Sequence, residues 1–229
     1  MFFVVEPTTF RWTRVHKFEP MPPQIQALAE RKGQLFYFFK YALVFLVTLG
    51  ATHLSSISVG KLWHISPYLR ESAVQTLSFG LFTAISRQVF LVSFPRATVA
   101  FLAHPVSRVS QKVWVVIFIV GAAVEETWRG LALGNAVTVG WSPLLATVVS
   151  SIAFVFGRLT GIPSRVTGVK EEGIWEFAVG CLLAMLYLGT GSVIVPLGVN
   201  VIASTTNLYL LRRRATATTQ GKKSEGPLV

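Results

Sequence analysis

Three ionisable residues lie close together in one apolar stretch of the chain. Glu125, Glu126 and Arg129 fall within residues 113–133, which otherwise have the composition of a helix that crosses a lipid bilayer. Charged groups in such a helix are costly unless they pair or face a polar cavity. Glu125 and Arg129 are four residues apart and share a helix face, so they are expected to form an ion pair, whereas Glu126 points about 100° away. The stretch therefore predicts a polar site inside a membrane, or an ion pair that only stabilises a helical bundle.

The composition determines what kind of molecule carries this stretch. Of 229 residues, 52% are hydrophobic and 14% are charged, and the mean hydropathy is +0.57. Soluble domains carry charge on roughly a quarter of their residues. The composition therefore predicts an all-α, polytopic membrane bundle. Cys181 is the one cysteine in the chain, so no internal disulfide is possible.

Hydropathy predicts about six transmembrane helices within a membrane bundle at residues 35–211. Residues 1–34 are predicted to form a basic cytoplasmic or interfacial segment, and residues 212–229 a basic, disordered tail. The predicted spans are residues 35–56, 73–94, 113–133, 141–157, 173–189 and 193–211.

The distribution of Lys and Arg predicts the orientation. In the six-span arrangement, 16 of these residues lie on the side of both termini and 2 on the other side. Because basic loops stay in the cytoplasm, both termini are predicted to be cytoplasmic, in the endoplasmic reticulum membrane of a eukaryotic cell or the plasma membrane of a bacterium. The net charge of +11 is then attributed to contact with anionic lipids. Nucleic acid is not an expected partner, because the basic residues follow the topology and do not line one groove.

Missing residue types exclude several chemistries. The chain contains no Asp, which removes Asp-rich magnesium motifs and an aspartyl dyad. It contains no His-Glu-x-x-His pattern, and no histidine follows the Glu125-Glu126 pair. We therefore expect no metal and no cofactor. The four histidines are His16, His53, His64 and His104.

Three short patterns follow one another between residues 113 and 208. Arg129-Gly130 is preceded by an aromatic residue, Phe154 follows a serine pair, and Gly191-Ser192 precedes an apolar helix. In order and spacing this region resembles the CPBP intramembrane proteases, which include the Ras-converting CAAX endopeptidase. Members of that family carry Glu-Glu-x-x-x-Arg-Gly, then Phe-x-x-x-His, then His-x-x-x-Asn. The resemblance implies that these motifs meet in one membrane-embedded site, which in the conventional CAAX protease is metal-dependent.

The chain departs from the family pattern at the positions that carry the chemistry. Val124 takes the place of the first family Glu, Arg158 stands where the second motif has histidine, and Asn200 and Ser204 stand where the third has histidine and asparagine. Arginine keeps its proton and cannot act as a base or ligand. Conventional metal-dependent proteolysis is therefore not expected. The predicted site residues are Glu125, Glu126, Arg129, Arg158 and Asn200, with Trp128, Phe154 and Ser204 as pocket walls. Phe156, Trp175 and Tyr187 are further aromatic residues predicted to line the same pocket.

Three functions are compatible with this pattern. The first is a non-proteolytic membrane protein that binds a lipid or a prenylated partner through the Glu/Arg site. The second is a divergent enzyme that uses a buried Glu as acid or base, as a glutamate-type protease or on a terpenoid or polyprenyl substrate. The third is a small transporter, which Lys40, Arg87 and Glu125 within the spans would permit. Alternatively, Arg129 and Arg158 only neutralise Glu125 and Glu126 in a structural cluster.

Overall fold

The computed structural model describes residues 35–36, 38–50, 57, 59–65, 69–97, 100, 111–160, 162 and 167–224. These residues form helices and contain no strand, which confirms the all-α class. The basic segment 1–34, His53, His104 and residues 225–229 lie outside the described residues. The main helices are α1 (Phe38–Gly50), α2 (Val59–Leu62), α3 (Leu69–Ser93), α4 (Gln111–Thr138), α5 (Pro143–Leu159), α6 (Val169–Thr190) and α7 (Ile194–Ser224).

In the part of the chain that the structure describes, two helices are long and apolar enough to cross a membrane. They are the segment Arg70–Ser93 of α3 and the whole of α6, and three shorter apolar helices accompany them at Phe38–Gly50, Pro143–Leu159 and Ile194–Leu210. Large apolar side chains of α3, such as Phe82 and Val89, are exposed on the outside of the bundle. The number of spans and the cytoplasmic position of the termini stay predictions.

Helix α4 lies at the centre of the bundle, in contact with α5, α6 and α7. Helix α3 packs along α7, and α5 packs along α6. Helix α4 continues to Thr138, beyond the predicted end of its span at residue 133. Helix α7 continues to Ser224, beyond the predicted end of its span at residue 211.

Local signals fix where α5 and α6 begin. Ser142 caps α5, its hydroxyl accepting a hydrogen bond from the Leu145 amide at 3.2 Å, and Pro143 follows in the first turn. Gly168 precedes α6 with a φ of +88°, and a Cβ there would lie 1.9 Å from the backbone oxygen of Arg96. Only glycine fits this turn, because it tolerates positive φ and has no side chain to collide with Arg96. The turn sets the first residues of α6 beside α3.

The bundle has an apolar end and a polar end. At the apolar end, buried Leu62, Leu131, Leu133 and Tyr187 form the largest described hydrophobic cluster. The polar end contains the middle of α4, the beginning of α6 and the first half of α7. These three segments, together with residues from α1, α3 and α5, hold the charged side chains described next.

Candidate functional site

Glu126 and Arg129 form a buried ion pair within α4. The Arg129 Nε atom lies 3.2 Å from Glu126 Oε2, and both side chains are almost fully buried. Arg129 Nη1 also donates a hydrogen bond of 2.9 Å to the Gly180 carbonyl oxygen on α6. The sequence prediction paired Arg129 with Glu125 and left Glu126 without a nearby cation, and that assignment is wrong. The long arginine side chain reaches the carboxylate three residues away because Glu125 is held by other cations.

Glu125 is bound by two cations from other helices. Its Oε1 atom lies 3.3 Å from Nζ of Lys40 on α1, and its Oε2 atom lies 3.2 Å from Nη2 of Arg158 on α5. Arg158 Nε lies at a longer distance, 3.9 Å, from Oε2 of Glu176 on α6. Glu125 therefore ties α4 to α1 and α5, and Arg158 connects it to α6.

Asn200 on α7 joins the two ion pairs. Its amide nitrogen donates to Glu126 Oε1 at 2.9 Å, and its amide oxygen accepts from Arg158 Nη2 at 2.7 Å. The Ser204 hydroxyl also donates to this oxygen, at 3.2 Å. We call Glu125, Glu126, Arg129, Arg158 and Asn200 the Asn200 centre. The structure thus brings together all five residues for which the resemblance implied a role.

The Phe154 ring packs against two guanidinium groups of the Asn200 centre. Its ring centroid lies 4.3 Å from the guanidinium carbon of Arg129 and 4.9 Å from that of Arg158. An aromatic ring attracts a nearby guanidinium through its negative face. A Cβ on Gly180 would lie 3.2 Å from this ring, so glycine lets α6 approach α5 closely enough for the carbonyl contact with Arg129. Phe154 is therefore buried against the two guanidinium groups and is not the open pocket wall that the sequence predicted.

A second buried ion pair lies beside the first, and the sequence analysis did not identify it. Arg87 on α3 donates a hydrogen bond to Glu172 Oε1 in the first turn of α6, and both residues are buried. The Arg87 guanidinium carbon lies 5.2 Å from the Trp175 ring centroid. We call Arg87, Glu172 and Trp175 the Glu172 centre. Glu172 and Glu176 are four residues apart near the start of an apolar helix. Glu125 and Arg129 were singled out for the same spacing in an apolar helix, so this pattern could also have identified Glu172 and Glu176.

A cavity of about 80 Å³ lies between the Asn200 centre and the Glu172 centre and is lined by residues of both. It is smaller than the roughly 150 Å³ cavity that holds a benzene molecule in a protein. It can accept a few waters or the polar end of a ligand, but not a whole prenyl chain. Its polar lining residues are Lys40, Tyr41, Thr83, Arg87, Arg158, Glu172, Trp175, Glu176, Asn200, Ser204 and Asn207.

Only some of the residues that the sequence predicted as pocket walls line the cavity. Ser204 and Trp175 line the cavity. Trp128 lies outside it with 36% of its surface exposed, and Phe156 is 71% exposed. Tyr187 belongs to the hydrophobic cluster at the other end of the bundle. Residues on one predicted helix point in all directions, and the sequence could not select which of them face inward.

The site residues do not fit a metal ion. A metal site of the family type would need histidine where this chain has Arg158 and Asn200, and a guanidinium cannot ligate a cation. The two carboxylates of α4 already contact Lys40, Arg129 and Arg158. Within the part of the chain that the structure describes, no group of three His, Cys, Asp or Glu side chains is arranged to hold a metal.

Comparison with known proteins gives one match. Residues 109–206 match the family described as type II CAAX prenyl endopeptidase Rce1-like. No curated protein and no solved structure matches the chain. The matched region runs from before α4 into α7 and includes the whole Asn200 centre, whereas Lys40 and Arg87 lie outside it. Residues 109–206 are therefore similar to the CAAX prenyl endopeptidases, as the order of the motifs in this region indicated.

Proposed function

We propose that this chain is a CAAX protease-like membrane protein that does not cleave peptides and that binds the polar end of a lipid or prenylated partner at the cavity beside the Asn200 centre. The observation that carries the proposal is the 2.7 Å hydrogen bond between Arg158 and Asn200, which occupy the two family histidine positions. Neither side chain can take up and release a proton near neutral pH. Among the described residues that line the cavity, no histidine is present to position or deprotonate a water molecule.

The carboxylates support the same conclusion. Glu126 contacts Arg129 and Asn200, and Glu125 contacts Lys40 and Arg158. Both carboxylates are thus already contacted by nitrogen atoms of the protein, which leaves them poorly placed to activate a water molecule. The arrangement is suited to holding charge in place and to offering hydrogen bonds from the cavity wall.

Binding and cleavage can be measured with one substrate. Purified protein in liposomes is incubated with a fluorescent farnesylated CAAX-type peptide, and with the same peptide without the farnesyl group. We expect saturable binding of the prenylated form and no release of the C-terminal tripeptide above that seen with empty liposomes. Release of the tripeptide above the level seen with empty liposomes would overturn the proposal, and so would equal binding of both peptides.

A pair of neighbouring variants tests the position of the binding site. Ser204 lines the cavity, whereas Thr205 bonds only to backbone oxygens of its own helix, at Val201 and Ile202. Ser204→Ala should weaken binding of the farnesylated peptide about 2- to 10-fold, as expected for loss of one hydrogen bond. Thr205→Ala makes a comparable change outside the cavity and should leave the affinity unchanged.

A second candidate function is acid-base catalysis by Glu176. This carboxylate lines the cavity, and its ion-pair contact with Arg158 is long, at 3.9 Å. It is thus the least tightly bound carboxylate of the site and the best placed to exchange a proton with a terpenoid or peptide substrate. Turnover that is lost in Glu176→Gln, with the melting temperature unchanged, would favour this candidate over simple binding.

A further inference from the structure

The Glu172 centre contains a buried acceptor without a donor. Glu172 is 4% exposed, its Oε1 atom accepts from Arg87, and its Oε2 atom has no hydrogen-bond partner among the residues that the structure describes. Leaving a buried charged acceptor without a donor is unfavourable, and native proteins avoid it by providing protein, water or ligand donors. Since Glu172 lines the cavity, a donor can reach it from there.

The charges around the cavity limit what that donor can be. The cavity is lined by Lys40, Arg87, Arg158, Glu172 and Glu176. Glu125 contacts two of these cations from behind the lining, and Glu126 and Arg129 pair with each other beside it, so the formal charges of the four cations and four carboxylates balance. An added cation or anion would bring an uncompensated charge into a low-dielectric site, which is costly. A neutral group with an O–H donor adds a hydrogen bond and leaves the charge balance intact.

The surroundings of Glu172 fit an alcohol on an apolar chain. The cavity has room for a hydroxymethyl group, and apolar residues such as Leu159, Val179 and Ala203 share its walls with the polar ones. Arg87 holds Glu172 in place from α3, and the Gly168 turn sets the start of α6 beside α3. The acceptor is thus fixed before any ligand arrives, which reduces the entropy lost on binding.

We infer that the Glu172 centre is a binding site for the hydroxyl group of a neutral lipid alcohol, with Glu172 Oε2 accepting the hydrogen bond. This inference rests on the proposed function, because it names the ligand class of the same cavity. It adds a recognition residue that the family motifs do not contain and a supporting cation, Arg87, that lies outside the matched region 109–206.

The test on the unmodified protein compares ligands that differ only at the polar end. Equilibrium binding of tritiated farnesol to purified protein in detergent is measured in competition with unlabelled farnesol, farnesyl methyl ether, farnesylamine and farnesyl diphosphate. Farnesol should compete at least about tenfold better than the ether, because the ether lacks the donor to a charged acceptor. Equal competition by alcohol and ether, or tighter binding of the amine or diphosphate, would overturn the inference.

Variants then locate the acceptor. Glu172→Gln, or Glu172→Gln combined with Arg87→Gln if the single variant does not fold, should reduce the alcohol-over-ether preference to about onefold. Glu171→Gln makes the same change at the neighbouring position, which does not line the cavity, and should keep the preference. A preference that survives in the Glu172 variants would exclude Glu172 as the acceptor.

The two proposals fail in different ways. If the farnesylated peptide binds without cleavage but alcohol and ether compete equally, the inference about Glu172 is wrong and the proposed function stands. If the peptide is cleaved or not bound while the alcohol preference persists, the proposed function is wrong and the alcohol site is retained as an independent property.

Discussion

The Asn200 centre and the Glu172 centre are both buried, yet their carboxylates are bonded to different extents. In the Asn200 centre, each oxygen of Glu125 and Glu126 lies within 3.3 Å of a cationic or amide nitrogen. Among the residues that the structure describes, the Glu172 carboxylate has a single nitrogen partner, Arg87, which bonds one of its two oxygens. We call the Asn200 centre closed, because protein nitrogen atoms contact both oxygens of each carboxylate. We call the Glu172 centre open, because Glu172 lines the cavity and can accept a further hydrogen bond there.

This difference separates two roles that a buried ion pair can have. A closed centre resists the removal of any member, because each loss leaves another charge buried without its partner. An open centre has bonding capacity left for a ligand. The variants of the Asn200 centre below are ordered by the expected loss in the free energy of unfolding.

The largest effect is expected for Glu126→Gln. This change leaves Arg129 buried without its countercharge, and breaking a buried pair costs about 3–5 kcal/mol. The free energy of unfolding should fall by that amount, measured by denaturation in detergent, and the folded yield should fall with it. Glu71→Gln, at an exposed position in the first turn of α3, is the matched control and should be near neutral.

The double variant Glu126→Gln with Arg129→Met checks the cause. It removes both charges, so it should recover at least part of the stability that the single variant loses. If Glu126→Gln proves as stable as the Glu71 control, the Asn200 centre is not closed in the sense proposed, and the comparison between the two centres breaks down.

A smaller effect is expected for Glu125→Gln. Arg158 keeps its hydrogen bond to Asn200 and its contact with Glu176 after the change. The loss should therefore be about 1–2 kcal/mol, the range for one hydrogen bond to a charged group. The pairing of Arg129 with Glu125 that the sequence predicted would give the opposite order, with Glu125→Gln the more damaging variant. Thermal unfolding of the two variants side by side decides between these orders.

The smallest effect is expected for Phe154→Leu. Leucine keeps an apolar side chain at the site but removes the aromatic face that lies near Arg129 and Arg158. We expect a loss of about 1 kcal/mol in the free energy of unfolding. Phe156→Leu changes the same residue type two positions away, at a 71% exposed site, and should have little effect. Equal losses in both variants would show that the cation–π contacts contribute nothing measurable.

The sequence predicted the helical class and the convergence of the family motifs, but not the pairing of their charges. Position on a helix gives the direction of a side chain, and a long side chain such as that of Arg129 can still turn to either of two neighbouring carboxylates. Which one it takes depends on Lys40 and Arg158, which come from other helices. Glu172 was missed because its partner, Arg87, is 85 residues away.

The orientation of the Asn200 amide has a consequence for the movement of protons. Its nitrogen faces the carboxylate of Glu126 and its oxygen faces the guanidinium of Arg158. An amide neither gains nor loses a proton under physiological conditions, so a proton cannot pass through it from one ion pair to the other. Histidine at this position would complete such a path, since each ring nitrogen can exchange a proton in turn. Asn200 therefore links the two ion pairs by hydrogen bonds but provides no path for proton transfer between them.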